Sequence, residues 1–167
     1  MSKKNSFSPS QVAKAALGTR GFVGHTTDLL ESDAWRTRSI HLVRVLDRLE
    51  LEHARHAGRN NGLLIVTHAD FAQWGLSPKN VKPAIDEGID RGLIRITHQG
   101  SRRGGAHDNP SRYQLTYLQW KFIPAIGPPQ YMEPTNEWKN FQGKRKKSKQ
   151  ETRLSQAITV RLRRTRP

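Results

Sequence analysis

At 167 residues, 34% of them apolar, the chain has room for one domain of ordinary size plus tails. It contains no cysteine, which excludes disulfides and thiolate zinc sites, and no apolar run near the ~18–20 residues of a membrane span, so a soluble cytoplasmic protein with no membrane partner is expected. The net charge of +15 is uneven: residues 1–28 carry +3, residues 29–120 another +3, and residues 121–167 +9, a balance that favours a polyanionic partner such as nucleic acid.

Residues 1–28 are rich in Ser, Gly, Thr and Lys without a sustained period and read as a flexible N-terminal segment, with a short extended piece near Phe22–Val23. Trp35, Ser39, Leu42, Leu46, Leu49 and His53 then recur at helical spacing, predicting one helix of about twenty residues that stops near Gly58 and Asn60–Gly62. "LLIVT" (63–67) suits one short strand. "THADFAQWG" opens with Thr67 as N-cap and Asp70 three residues on, close to a capping box, with Phe71 and Trp74 on the buried side of a two-turn helix.

"SPKNVKPAIDEGIDRGLI" (77–94) starts with a Ser77–Pro78 N-cap pair, places Val81, Ala84, Ile85 and Ile89 on one helical face, and has Gly92 to end the helix. "LIRIT" reads as a strand with Ile94 and Ile96 on one side. "HQGSRRGGAHDNPS" is a long hairpin loop, and "RYQLTYL" returns with Tyr113, Leu115 and Tyr117 alternating. The order predicts an α+β fold of winged helix-turn-helix type over 29–120, three helices plus a β-hairpin wing with disordered basic tails, although periodicity alone also fits another small α+β domain.

Residues 121–143, broken by Pro124, Pro128, Pro129 and Pro134, form an extended aromatic arm that packs over the domain or binds a protein partner through residues 120–141, with a helical turn around Thr135–Phe141. The tail, 144–167, begins with the basic run "KRKKSK" and ends in a segment whose Leu154, Ala157, Ile158 and Leu162 share a face, suited to a basic amphipathic helix formed on contact.

Ser77, Lys79, Asn80 and Lys82 stand at the start of the 77–94 helix. Asn pairs bidentately with adenine and Lys reaches guanine acceptors, so this end is the candidate for base readout in double-stranded DNA. Asp86, Glu87 and Asp90 repel phosphate and leave only the N-terminal end to enter a groove. Arg102 and Arg103 near the wing tip and Arg112 at its base suit phosphates or a minor groove. Lys144, Arg145, Lys146, Lys147 and Lys149 add sequence-blind contact; about six such contacts give log K a slope near about −5 against log[salt]. Taken singly, each of these is also ordinary solvated surface.

His53 and His56, one turn apart, read as surface histidines at a helix end rather than metal ligands. No nucleophile elbow, phosphate-binding glycine loop or flanked carboxylate pair occurs, so no catalytic residue, cofactor or metal is expected.

The 77–94 stretch resembles the second helix and following strand of bacterial winged-helix regulators of the GntR type. Ser77 falls on the N-cap serine, Val81 on the buried valine, Ala84 and Ile85 on the Ala–Leu pair, and Gly92, Leu93 and Ile94 on the Gly-Leu-Ile that turns into the wing. "LLESDAWRTRSIHLVRVLDRLELEH", "NGLLIVTHADFAQWGL" and "PTNEWK" look like segments of small bacterial winged-helix proteins, the first also similar to the opening helix of plasmid and phage replication initiators. The resemblance implies a sequence-specific DNA-binding protein, a small transcriptional regulator or a replication or recombination accessory factor, for which a homodimer is compatible. The alternative is a winged-helix interaction module whose basic tails bind nucleic acid without specificity. The chain departs from the regulators at Pro78, which removes a side chain that often touches DNA there. It departs again at Pro83, which predicts a helix that is kinked or that starts at Asn80. Gly88 replaces a usual core leucine, and Ile89 is expected to supply that contact.

Overall fold

Ser39 divides what the stripe from Trp35 to His53 predicts as a single helix, and Ser32 sets off a further short helix before it. In the computed structural model, which describes residues 21–100 and 109–143, the chain forms α1 (Thr27–Glu31), α2 (Asp33–Arg36) and α3 (Ile40–Arg55) in that region. Ser32 caps α2 by accepting the Trp35 N–H at 3.2 Å, and Ser39 caps α3 by accepting the Leu42 N–H at 3.1 Å. Each serine holds an extended backbone and meets donors that would otherwise be orphaned, so helix begins anew after it. Trp35 stays buried, but on a separate element.

The rest of the order is β1 (Leu64–Ile65), α4 (His68–Gln73), α5 (Pro78–Asp90), β2 (Ile94–His98), β3 (Arg112–Leu115), β4 (Trp120–Phe122), β5 (Gln130–Met132) and a 3-10 turn at Glu137–Asn140. This is a mixed α+β fold with two small antiparallel sheets, one in the order β1-β3-β2 and one of β4 and β5, neither closed into a barrel. Tyr113 lies opposite both Leu64 and Ile96, and Leu115 opposite Ile94. Tyr113, Leu115 and Ile94 are buried together with Leu42, Leu46 and Leu49 of α3 and with Phe71, Val81 and Ile85. The core therefore sits among three helices and one face of the larger sheet.

The α4 cap is a full capping box: the Thr67 hydroxyl accepts the Asp70 N–H at 3.2 Å while Asp70 accepts the Thr67 N–H at 2.7 Å. Phe71 is buried as predicted, but Trp74 is 44% exposed. Gly75, at φ +85°, turns the chain so that Leu76, with its N–H on the Phe71 carbonyl at 3.1 Å, fills the place expected for Trp74.

The helix starting at Asn80 is not formed. Ser77 is the N-cap, Pro78 lies in the first turn, and Pro83 lies inside α5 on its exposed side. Proline there lacks the amide that would bond Lys79, a cost of about 3 kcal/mol when nothing relieves it, and burial of Val81, Ala84 and Ile85 offsets that loss. Ile89 does not replace the missing leucine: it is 39% exposed, and Gly88 itself is the contact. A Cβ at Gly88 would stand 2.5 Å from Ile94 Cδ1 and 3.0 Å from Leu42 Cδ1, so the bare backbone of α5 lies against α3 and β2 and turns Ile89 to the rim.

His53 is buried, not on the surface; the α3 stripe continues to it, and burial pushes its imidazole pKa down. At the other edge His25 lodges beside Trp35 and Tyr117, with ring centroids 4.7 and 5.7 Å away. Its Nε2 lies 2.8 Å from the Glu50 carboxylate, which also accepts the Tyr117 hydroxyl at 2.5 Å. Burial, then the neighbouring Glu50 charge, push the Tyr117 phenol well up.

The arm packs on this core at its far end. Trp138 is buried, the Asn136 N–H bonds the Thr116 carbonyl at 2.9 Å, and Arg95 pairs with Glu137. The β4–β5 hairpin was not foreseen among the prolines. It leaves Phe122, Ile123, Ile126, Tyr131 and Met132 more than 40% exposed.

Candidate functional site

The residues predicted to read bases fall at the first turns of α5, but they do not all face outward. Ser77 is exposed and its hydroxyl makes no capping bond, while its carbonyl accepts the Asn80 N–H at 2.8 Å. Lys79 is exposed, and among the described residues no carboxylate pairs with it. Asn80 is half-buried because its amide turns toward α3, where Nδ2 lies 3.3 Å from His41 Nε2. Lys82 is bound by Asp86 one turn on, with Nζ 2.7 Å from Oδ2 and 3.0 Å from Oδ1, both side chains being more than half exposed. Such a surface pair is worth only tenths of a kcal/mol, so it yields readily to a stronger anion, although Asp86 stays beside whatever Lys82 meets.

Glu87 is not free to repel an approaching phosphate, since it is engaged on the inner side. It accepts the Ser39 N–H at 3.0 Å, the Ser39 hydroxyl at 2.5 Å and the Arg91 Nε–H at 2.8 Å. Burial alone would raise its carboxyl pKa, but these bonds outweigh burial and hold it below the ordinary value. Arg91 spends its remaining donors on the Thr37 carbonyl at 2.7 Å and the Thr37 hydroxyl at 2.9 Å.

Arg112 is exposed as the first residue of β3, opposite Ile65 and His98. It belongs to the loop end of the β2–β3 pair, four strand steps or roughly 13 Å along β2 from the end that follows α5. Arg102 and Arg103, and the tail residues Lys144, Arg145, Lys146, Lys147 and Lys149, lie outside the described residues. The N-terminal end of α5 thus gathers Ser77, Lys79, Asn80 and Lys82, and Arg112 stands apart from them.

Two further residues stand at this end, Arg44, which the sequence did not mark, and Trp74, which it marked only as a core residue. Arg44 of α3 donates to the carbonyl of Gly75 in the α4–α5 turn, and Trp74, the residue before it, is exposed. Helical spacing puts Arg44 on the outer side of α3, but its contact with the turn is tertiary and has no local signal.

Elsewhere, a cleft of about 120 Å³ is lined by Glu52, His56, Asn60, Leu63, Leu64 and Ile65, too small for a drug-sized ligand. Its Glu52 is already paired with Arg48 at 2.9 Å and lies 3.5 Å from His56. Among the described residues no three acidic or histidine side chains are grouped to hold a metal, and no helix is long and apolar enough to cross a membrane. Comparison of the chain with protein-family models, with curated proteins and with solved structures finds no match in any of the three.

Proposed function

We propose that the chain is a non-enzymatic DNA-binding protein of winged-helix type that reads duplex DNA with the N-terminal end of α5. The observation that carries the reading is the arrangement around α5. A short capped helix and a tight glycine turn precede it, the β2–β3 hairpin follows it directly, and its exposed first turns hold Ser77, Lys79 and Lys82 beside Arg44. In this reading Lys79 reaches base acceptors, Lys82 exchanges Asp86 for DNA, and Arg112 with the loop arginines Arg102 and Arg103 grips phosphate. The basic tails add sequence-blind affinity, consistent with most of the +15 charge falling outside residues 29–120. The role is that of a small bacterial regulator or a replication or recombination accessory factor, by analogy of fold pattern alone.

The β4–β5 hairpin favours a second reading, an interaction module in which the exposed Phe122, Ile123, Ile126, Tyr131 and Met132 meet a protein partner while the tails hold nucleic acid. Selection of bound duplexes from a random library, with full-length protein at roughly physiological salt, separates the two. An enriched motif lost in Lys79→Glu/Lys82→Glu supports base reading by α5. DNA retained without any enriched motif transfers the function to the second reading.

A further inference from the structure

We propose that Arg44 and Trp74 form a clasp for one DNA phosphodiester and its sugar beside the first turn of α5, a contact made by α3 and the α4–α5 turn rather than by the reading helix. The inference rests on the DNA-binding reading above and adds to it the residues that set the helix's depth and register on the duplex.

Arg44 presents a planar fork of five N–H donors, a shape that matches two oxygens of a phosphate. Its guanidinium donates to the Gly75 carbonyl, and among the described residues no carboxylate pairs with it. A carbonyl orients a guanidinium without cancelling its charge, so a full positive charge is parked at the turn with donors to spare. Several other arginines are engaged, Arg48 by Glu52, Arg91 by Glu87 and Arg95 by Glu137, while Arg38 lies 3.8 Å over the Trp35 ring. What distinguishes Arg44 from Arg36, Arg55, Arg59 and Arg112, which also lack a carboxylate partner among the described residues, is its place at the turn before α5.

Trp74 adjoins Gly75 and leaves 44% of its surface to solvent, while Trp35 and Trp138 are nearly closed off at 9% and 5%. Trp74 directly precedes the glycine whose carbonyl holds Arg44, so its exposed indole offers a flat apolar surface for a deoxyribose at the same turn that carries a fork for its phosphate. Ser77 and Lys79 follow two and four residues after Gly75, so the clasp is continuous with the end of α5 that carries the base-reading candidates. An acidic peptide offers carboxylates to Arg44 but no stacked sugar for Trp74.

The experiment is an anisotropy titration of the full-length protein against a duplex carrying its selected site and a scrambled duplex, at several salt concentrations. Arg44→Gln, with an amide donor for the Gly75 carbonyl, should weaken both duplexes by a similar factor, roughly threefold to tenfold, and flatten the log K against log[salt] slope by about 0.9. Arg44→Lys should keep the slope. In the unmodified protein, acrylamide quenching of tryptophan emission should fall when duplex is added and should not fall in Trp74→Phe. Unchanged affinity and slope in Arg44→Gln, or loss of the site preference alone, overturns the clasp, as does quenching in the unmodified protein that duplex leaves unaltered. If the unmodified protein shows no preference between the duplexes, the DNA-reading proposal itself falls. If it shows preference and the Arg44 variants are silent, only the clasp does.

Discussion

Glu87, near the end of α5, accepts both the backbone N–H and the hydroxyl of Ser39, the residue that caps α3, at 3.0 and 2.5 Å. One carboxylate thereby sets where α3 begins and how α5 lies across it. Glu87→Ala should cost roughly 1.5–3 kcal/mol, the range for hydrogen bonds to a charged group, and urea denaturation at pH 7 measures it. The folded pKa of Glu87 is depressed, so its stabilisation is present above the unfolded carboxylate value near about 4.3 and is lost as pH falls through the lower folded value. Stability curves of the parent and Glu87→Ala should therefore converge in acid. Parallel curves would assign the contact no electrostatic share.

Gly88 permits the close approach of α5 to α3 and β2. Alanine is the better helix former by roughly 1 kcal/mol, yet a Cβ here would lie 2.5 Å from Ile94 Cδ1. Gly88→Ala should destabilise by about 1–2 kcal/mol, because overpacking outweighs propensity. Ile94→Val deletes the offending methyl, so the double variant should be more stable than the sum of the single changes predicts. Simple additivity in that cycle would show that the clash is relieved elsewhere.

The fate of particular residues separates what was legible in the sequence from what was not. Val81, Ala84 and Ile85 mark the buried face of α5 by spacing alone, and Thr67 with Asp70 announces the α4 cap, because both signals are local. Ile89 and Trp74 were misread for the opposite reason. Each falls at the right helical interval, but the close backbone approach at Gly88, and Leu76 brought back by the left-handed turn at Gly75, occupy the buried places instead. The site divides the same way: an exposed Lys79 follows from helix phase, whereas the turn of Asn80 toward His41 and the reach of Arg44 to Gly75 join elements that only the fold brings together.

Asn61, legible only as a helix-stopping turn residue, is a buried tie between three segments. Its Nδ2 donates to the carbonyls of Leu115, Leu118 and Gln119 at 2.8, 3.0 and 3.1 Å, its Oδ1 accepts the Leu115 N–H at 2.7 Å, and its own carbonyl accepts the Lys121 N–H at 2.8 Å. Asn61→Asp keeps the shape and the acceptor but turns a carboxylate toward three carbonyls. It should destabilise by about 3 kcal/mol or more and exceed Asn61→Ala in cost, as read from thermal and urea unfolding.

His53 gives a second pH signature. Its folded pKa is depressed by burial, so the unfolded chain binds the proton more readily, and stability should fall as pH drops below the unfolded value near about 6.5. Its Nδ1 is buried without a partner among the described residues, so His53→Leu removes an unmet polar atom as well as the proton site. The variant should be at least as stable as the parent at pH 5.5 and lose the slope between pH 5 and 7. An unchanged slope there would place the titration on another histidine.

The Lys82–Asp86 pair supplies a prediction in which stability and binding move separately. Both side chains are more than half exposed, so Asp86→Asn should leave the unfolding midpoint nearly unmoved. In the DNA reading it removes a negative charge from the contact face and frees Lys82 from its nearest competitor for phosphate. Affinity for duplex should then rise by a few-fold at moderate salt, and the log–log salt slope should steepen toward one further ion. In the interaction-module reading nucleic acid is held by the tails and α5 takes no part, and neither quantity should move. A titration of parent and variant against one duplex across a salt series therefore tests whether α5 touches DNA at all, without requiring that its target sequence be known.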